Sequence, residues 1–288
     1  MKRTGIFFTY FQGERLKDFP QALADILDRE NVAYYDAVYD SRQGLYYLEP
    51  LSEELLLKVH SLRMVEQVKL TGDYESALYS AGGTVQAADE IRQGKIDNAF
   101  VFTSFGDHHA GRDFYGGMCY FNGAALAVTA LRERGVRRVA IVDTDCHHAD
   151  GTRDIFGRDR EVLHVCFCHQ DYVDEYNNVD VRIPWRTTDE NYLRRVKEEF
   201  VPRVLAFAPD YIFWEFGYDA TQGEYGDRGL TRECHPKLAK LLKEAADKVC
   251  QGRLITVLCG GSSRALATYT IPRIIASLAE LNAGTAPV

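Results

Sequence analysis

Half of the chain's eight histidines lie in two short polar segments, each directly after a run of apolar residues. The first segment, 106–109, reads Gly-Asp-His-His, and the second, 143–151, reads Asp-Thr-Asp-Cys-His-His-Ala-Asp-Gly. Imidazole titrates near neutral pH, and both imidazole and carboxylate bind metal ions, so this combination suits proton transfer and metal binding. The two segments therefore predict metal-assisted or acid–base chemistry.

Asp145 and His147 are the predicted metal ligands of the second segment. Residues i and i+2 of an extended chain point to the same side, so this carboxylate and this imidazole can share one ion. A third ligand, Asp219, follows another apolar run, Tyr-Ile-Phe-Trp-Glu-Phe-Gly-Tyr. Three protein ligands and an open position are typical of catalytic zinc (Zn²⁺), and iron(II) or cobalt(II) can occupy the same ligand set. Taken alone, Asp-x-His also occurs in capped turns, and Asp219 could be an ordinary loop carboxylate.

The adjacent pair His108 and His109 is a candidate for proton transfer. In a loop both rings can reach one cavity, where imidazole can accept a proton from water and donate one to a leaving amine. Asp143 and Asp150 could hydrogen-bond these rings, which would set their tautomer and raise their basicity. Without these neighbours, a His-His pair would more simply be a solvated loop.

The apolar runs that precede the polar segments predict a parallel sheet that positions them. Nearly unbroken apolar strands are typical of a sheet covered on both faces. Predicted strands span 5–10, 98–103, 138–144, 162–168, 211–216 and 254–259. Predicted helices span 81–93, 123–134, 190–206, 231–250 and 271–281, and Pro202 is expected to kink or split the third of them. The alternation predicts one α/β domain over residues 1–288, with a doubly wound, mostly parallel sheet, helices on both faces and the ligand site at the carboxyl ends of its strands.

Composition excludes several classes of protein. The chain has 288 residues, of which 46% are hydrophobic and 26% charged, and its net charge of −8 argues against nucleic-acid binding. The sequence has no apolar run near the roughly 18 residues that a membrane-spanning helix needs. Seven cysteines occur without a CxxC motif or a disulfide-like spacing, so we interpret them as small buried hydrophobes of a reduced, cytoplasmic protein.

The order and spacing of these motifs resemble the zinc-dependent histone deacetylase family, which includes bacterial acetoin-utilisation proteins and acetylpolyamine amidohydrolases. The resemblance covers most of the chain and implies the α/β fold that this family shares with arginase. It implies hydrolysis of an N-acyl amine, either a small molecule or a peptide. The matching motifs are Val59-His-Ser, Ala81-Gly-Gly, Gly106-Asp-His-His-Ala, Gly117-Met-Cys-Tyr-Phe-Asn, 142–151, Gly217-Tyr-Asp-Ala and Gly226-Asp-Arg.

Carried over position by position, the resemblance assigns the metal site. It implies that Asp145, His147 and Asp219 bind zinc. It also implies a structural potassium ion (K⁺) held by backbone oxygens of the segment 143–147.

The resemblance likewise assigns the reacting and substrate-binding groups. His108 and His109 are the expected acid/base pair, with Asp143 and Asp150 as their respective partners. The expected substrate-binding residues are Gly117, Met118, Gly261 and Ser262. Gly117 would line the acyl tunnel, and Met118 stands where the family usually has a phenylalanine.

Four departures from the family pattern bear on activity. Gly260-Gly261 is followed by Ser262, where the family has the tyrosine that stabilises the oxyanion, and a serine hydroxyl is too short to replace it. Asp107 replaces a glycine before the tandem histidines, and we expect it to face solvent. The loop around 170–179 is short and acidic, so the tunnel should be shallow, open or completed by another subunit. The rim segment 72–75 also looks shortened.

These departures leave alternatives open. The main hypothesis is a zinc amidohydrolase for cationic N-acyl amines such as acylpolyamines or acyl-lysine. The second is a zinc-containing binding or sensing protein that has lost efficient turnover. A third, a binuclear manganese ureohydrolase, lacks the extra ligands because His147 is followed by His-Ala and Asp219 by Ala-Thr. Homo-oligomerisation is compatible with the trimmed loops.

Overall fold

A computed structural model describes residues 2–9, 22–36 and 46–281. Within these residues ten strands form one sheet, in the order β3-β2-β1-β4-β10-β9-β5-β6-β8-β7, and only the pairing of β7 with β8 is antiparallel. The strands are β1 (Thr4–Phe8), β2 (Val32–Asp36), β3 (Tyr46–Tyr47), β4 (Asn98–Phe102), β5 (Val139–Asp143), β6 (Val162–Cys168), β7 (Tyr172–Val173), β8 (Asn178–Arg182), β9 (Tyr211–Phe216) and β10 (Leu254–Leu258).

Helices connect most of the parallel strands, as parallel pairing requires. They are α1 (Ala24–Leu27), α2 (Glu53–Val59), α3 (Leu62–Lys69), α4 (Tyr74–Arg92), α5 (Gly123–Glu133), α6 (Asp150–Phe156), α7 (Asp189–Glu199), α8 (Val201–Phe207), α9 (Cys234–Cys250) and α10 (Arg264–Leu278). None of the described helices is long and apolar enough to cross a membrane.

Side chains alternate between two apolar layers along the central strands. On β4, Phe100 and Phe102 pack into one layer, whereas Ala99 and Val101 pack into the other. Helices α7, α9 and α10 cover the first layer, and α2 to α5 cover the second. The predicted fold class, a mostly parallel α/β sheet with helices on both faces, is confirmed.

The predicted elements differ from the observed ones mainly where polarity hides a strand or proline interrupts a helix. The predicted helix 190–206 is two helices, and Pro202 lies in the first turn of α8, where its missing N–H is tolerated. Strand β8 reads Asn-Val-Asp-Val-Arg and was not predicted, because its buried polar residues imitate a loop. Tyr10, the end of the first predicted strand, lies outside the described residues.

The strand order brings the polar segments together. Strands β4, β10, β9 and β5 are consecutive neighbours in the sheet and run parallel. Their carboxyl ends therefore meet at one edge, where the segments after each of them converge. That edge carries the candidate site.

Candidate active site

The three predicted metal ligands meet at the ends of β5 and β9. His147 Nδ1 lies 2.9 Å from Asp145 Oδ1 and 3.1 Å from Asp219 Oδ2. Both carboxylates are buried, while the His147 side chain is 45% exposed. Ligand atoms of a tetrahedral zinc ion, bonded at about 2.0–2.1 Å, are separated by roughly 3.3 Å. The group therefore fits a small divalent ion with a side open to solvent.

Glycine backbone closes tightly around these carboxylates. Gly260, directly after β10, donates its N–H to Asp145 Oδ2 at 2.8 Å. A Cβ atom at Gly260 would lie 2.8 Å from Asp219 Oδ2, and one at Gly217 would lie 2.9 Å from Asp219 Oδ1. Only glycine allows the chain to approach the ligands this closely at the two strand ends.

Cys146 is a fourth donor in this group, and the sequence analysis missed it. Its thiol donates to Asp219 Oδ2 at 2.9 Å and lies 3.3 Å from His147 Nδ1. Its backbone N–H also donates to Asp219 Oδ1 at 3.2 Å. In an extended chain, the Cys146 side chain would point away from those of Asp145 and His147. Residues 145–147 form a bend instead, and this brings the thiol to the same side.

The charges of the group favour a bound cation. Burial opposes ionisation of Asp145, but the nearby positive charge of His108 and the hydrogen bond from His147 lower its pKa below the ordinary value. Burial and the charge of Asp145 raise the pKa of Asp219. Hydrogen bonds to Asp145 and Asp219 raise the pKa of His147 to about 12.

The tandem histidines each contact the carboxylate that the sequence paired with them. His108 Nδ1 lies 2.7 Å from Asp143 Oδ2, and His109 Nδ1 lies 2.5 Å from Asp150 Oδ1. The two imidazole rings are 4.1 Å apart between centroids. Because Nδ1 of each ring faces a carboxylate, Nε2 is left for the cavity, and His108 Nε2 is 3.8 Å from Asp145 Oδ1.

Glu215 lies next to Asp143, the partner of His108, and was not predicted from the sequence. It is fully buried on β9 opposite Asp143 in the strand register, and its Oε1 accepts a 2.7 Å hydrogen bond from Thr152. Burial and the charge of Asp143 raise the pKa of Glu215. Burial and the charge of Asp145 raise that of Asp143. The signal in the sequence was a lone glutamate inside the apolar run Phe-Trp-Glu-Phe.

The expectation that Asp107 faces solvent is wrong. Asp107 is buried, and its carboxylate accepts the backbone N–H groups of Gly123 and Ala124, the latter at 2.9 Å. It therefore caps the N-terminus of α5, where free N–H groups favour a carboxylate. Burial, together with the charge of Glu215, raises its pKa to about 8.

Gly117 and Met118 lie at the rim beside the second histidine. A Cβ atom at Gly117 would lie 2.6 Å from His109 Cδ2, and the residue has a φ of +53° that suits glycine. Met118 is 68% exposed. Gly117 therefore lies against the His109 ring, while the side chain of Met118 is exposed to solvent.

Glu224 holds the hydroxyl of Ser262. This hydroxyl donates to Glu224 Oε2 at 2.7 Å, and the backbone N–H of Ser262 donates to the same oxygen at 2.9 Å. Ser263 N–H donates to Glu224 Oε1 at 2.6 Å. Glu224 therefore holds this loop from one side and engages the only hydroxyl that position 262 could offer.

Tyr225, which was not predicted from the sequence, reaches from the segment after β9 to the Gly260-Gly261 loop. Its ring packs against the His147 ring at 5.7 Å between centroids and an angle of 25°. Its hydroxyl accepts the Gly261 N–H at 2.9 Å, one residue from the glycine that contacts the metal ligands. The residue lies just before the matched Gly226-Asp-Arg motif, but spacing alone gave no reason to direct it to the β10 loop.

Comparisons with known proteins identify the family of this chain. The histone deacetylase domain family matches residues 21–278 of the chain. A probable deacetylase of Archaeoglobus fulgidus is 30% identical to this chain. The alignment covers 96% of this chain and 86% of the relative. A histone deacetylase-like amidohydrolase of Pseudomonas aeruginosa is 29% identical over 80% of this chain and 69% of its own length. The chain belongs to the histone deacetylase family.

A solved structure supports the fold. The HD domain of HDA15 superposes on this chain with a TM-score of 0.80 and 22% sequence identity. The superposition covers 100% of this chain and 91% of the HDA15 chain. At that identity the likeness concerns the architecture. The predicted potassium site stays a prediction.

Proposed function

We propose that this protein is a zinc-dependent amidohydrolase that splits an N-acyl amine into a carboxylate and an amine. The observation that carries the proposal is the convergence of two histidine–carboxylate pairs on a group of three metal ligands. Membership of a deacetylase family supports the same reaction. The ligand set also suits iron(II) or cobalt(II).

In this proposal the metal ion supplies a Lewis acid that polarises the acyl carbonyl and makes water more acidic. His109 Nε2 accepts the proton of the attacking water, while Asp150 holds Nδ1 and stabilises the charged ring. His108 is held by Asp143, and its Nε2 lies 3.8 Å from the metal ligand Asp145. One of the two imidazoles then donates a proton to the amine nitrogen as the C–N bond breaks, which leaves a carboxylate and a free amine.

Tyr225 is our candidate for the missing oxyanion donor. Its oxygen accepts the Gly261 N–H, so its own proton is free to be donated. The contact of its ring with His147 keeps the hydroxyl beside the metal ligands. A hydroxyl thus reaches the same loop from the segment after β9 instead of from position 262 itself. This arrangement offers the developing negative charge on the acyl oxygen a hydrogen bond from the protein.

Two single substitutions test this role. Tyr225→Phe should lower kcat for acetyl-lysine by about 10²-fold, the usual cost of one oxyanion donor. Ser262→Ala is the matched control, and it should change kcat by less than about threefold because its hydroxyl bonds to Glu224. The trifluoroacetyl substrate, with its electron-poor carbonyl, should lose less rate in Tyr225→Phe than the acetyl substrate does. An unchanged rate in Tyr225→Phe would contradict the role of Tyr225.

The substrate is proposed to be cationic and small. The net charge of −8 favours amine carriers such as acylated polyamines or lysine derivatives. The exposure of Met118 and Tyr225 at 68% and 61% supports a shallow entrance that a small carrier can use. Acetylspermidine and acetyl-lysine, compared with a neutral acetylamide of similar length, would measure this preference through kcat/KM.

The direct test of the reaction is acetate release by the metal-loaded protein. Asp145→Ala and His109→Ala should each lower the rate by at least about 10³-fold, because each removes a group on which the reaction depends. A chelator should abolish the wild-type activity, and added zinc should restore it. Hydrolysis that survives both substitutions would contradict the proposal.

A binding or sensing role is the second candidate, and the position of Ser262 favours it. The chain is a binding protein if the wild type binds zinc and an acyl amine but releases no acetate, and if Tyr225→Phe leaves both binding affinities unchanged. The ureohydrolase alternative needs further metal ligands next to His147. It loses support because the following residue, His148, lies with Cys166, Cys168 and Asp180 instead.

A further inference from the structure

A second group of metal-binding side chains lies beside the active site and includes none of its ligands. It consists of His148, Cys166, Cys168 and Asp180, and one donor atom from each lies within 4.8 Å of all the others. From the sequence, Cys166 and Cys168 were expected to be small buried hydrophobes. We define these four residues as the thiol cluster.

The fold builds the thiol cluster from three neighbouring strands. Cys166 and Cys168 stand two residues apart on β6, so both thiols point to the same face of the sheet. Asp180 on β8 is the direct register partner of Cys166. His148 arrives from the segment after β5, the strand on the other side of β6. The convergence therefore follows from the pleat and register of the sheet.

The distances within the thiol cluster match those between the ligands of a tetrahedral ion. His148 Nδ1 lies 3.6 Å from Cys168 Sγ, 3.9 Å from Cys166 Sγ and 3.7 Å from Asp180 Oδ1. Zinc bonds of about 2.3 Å to sulfur and 2.0–2.1 Å to nitrogen at tetrahedral angles place those two atoms about 3.6 Å apart. A small ion fits between these side chains with little movement.

Burial and outer contacts also suit a closed metal site. Cys166, Cys168 and Asp180 are buried, and the His148 side chain is 20% exposed. Arg153 Nη2 donates to Asp180 Oδ1 at 2.6 Å. Gln170 Nε2 donates to Asp180 Oδ2 at 2.7 Å. Such partners orient a ligating carboxylate.

The charges balance when an ion is present. Two thiolates and one carboxylate carry three negative charges, and a divalent ion with the Arg153 guanidinium carries three positive ones. Binding displaces the proton of any thiol that is still protonated, because thiolates are the ligands. The buried site would therefore be neutral with the ion bound.

We propose that the thiol cluster binds a divalent zinc ion as a structural site. Four protein ligands leave no open position, which is typical of structural zinc, and thiolates select zinc over magnesium or calcium. Ligation of His148 would anchor the backbone next to His147 and so steady an active-site ligand from behind. This inference is independent of the proposed hydrolysis.

Metal content of the purified full-length chain tests the proposal. Wild-type protein reconstituted with zinc and desalted should retain two ions per chain. Cys168→Ser should retain one, because serine is a poor zinc ligand, and Asp145→Ala should also retain one. Cys250→Ser is the matched control, since Cys250 is equally buried but outside the cluster, and it should retain two. Circular dichroism checks that each variant is folded.

Cobalt(II) substitution adds a readout that does not depend on activity. Thiolate-to-cobalt charge-transfer absorption should persist in Asp145→Ala, which lacks the active-site ion that Cys146 could contact, and disappear when Cys166→Ser/Cys168→Ser is added to that variant. His148→Gln, which alters the most exposed ligand, covers the case in which the cysteine variants fail to fold, and it should lose the same ion. One zinc ion in both wild type and His148→Gln, or a disulfide between Cys166 and Cys168 found by thiol titration and mass spectrometry, would overturn the proposal.

Discussion

His147 and His148 are consecutive residues, yet they belong to two groups of opposite character. His147 joins two buried carboxylates and is 45% exposed at an open cavity. His148 joins two thiols and one carboxylate and is 20% exposed among buried partners. One group has two carboxylates, one thiol and the open side that a reaction needs, and the other has two thiols, one carboxylate and the closed surroundings of a structural site. Ligand type and access separate the two sites.

The segment after β5 supplies one histidine to each group, so the backbone couples them. Strand β5 lies between β9, which leads to Asp219, and β6, which carries the two cysteines. The chain after β5 turns one histidine toward each side. An ion in the thiol cluster would therefore stiffen the segment that presents His147, without taking part in the reaction.

The largest expected effect contrasts the carboxylates of the two groups. Asp219→Asn should lower acetate release by at least about 10³-fold, because it removes a charged metal ligand. Asp180→Asn should change the rate by less than about threefold at room temperature, because Asp180 contacts no reacting group. Steady-state kinetics at equal protein concentration measure both. Comparable losses in the two variants would mean that the groups do not have separate roles.

A smaller effect is expected from the carboxylate that positions His109. Asp150→Asn should lower kcat by about tenfold or more, because the ring loses the charge that orients Nδ1 and stabilises its protonated form. KM should stay within about twofold, since Asp150 lies behind the imidazole. Kinetics over a range of acetyl-lysine concentrations separate the two constants. A changed KM with an unchanged kcat would contradict the positioning role.

Loss of the metal ion from the thiol cluster should lower the stability of the protein more than loss of the active-site ion. Chelation should lower the Tm of the wild type by several degrees, on the order of 5 °C, because ions bound only to the folded state stabilise it. Asp145→Ala, which keeps the thiol cluster, should retain most of this shift, and Cys166→Ser/Cys168→Ser should retain little of it. Differential scanning calorimetry with and without chelator measures the shifts. Equal shifts in the two variants would remove the distinction.

The smallest effect concerns a histidine outside both groups. His235 on α9 is fully buried against Phe216, and both of its ring nitrogens lack a hydrogen-bond partner among the described residues. Burial lowers its pKa to about 4. Since the unfolded pKa is near 6.5, its contribution to stability is complete above pH 6.5 and falls as the pH drops from 6.5 toward 4.

His235→Leu should therefore reduce the acid sensitivity of folding. Between pH 7 and pH 5, the free energy of unfolding should fall by about 1–2 kcal/mol less in the variant than in the wild type. Urea unfolding at the two pH values measures the difference, and activity at pH 7 serves as the control. An identical loss of stability in both proteins would show that His235 does not titrate as its burial implies.

The sequence alone determined the apolar strands, the α/β class and the residues at the strand ends. Local patterns carry these features: apolar runs mark β4, β5, β9 and β10, and Asp145 and His147 stand two residues apart in the polar segment after β5. The family resemblance added the acid/base roles proposed for the tandem histidines.

Only the tertiary structure decided which distant groups meet. Tyr225 reaches Gly261, Glu215 lies opposite Asp143, Asp107 caps α5 and Asp180 joins the cysteines, because strand order and register set contacts between positions far apart in the chain. Local patterns describe which face a residue occupies, but not which strand lies next to it. Burial then changes the chemistry of each group, since desolvation depends on neighbours that only the packed fold supplies.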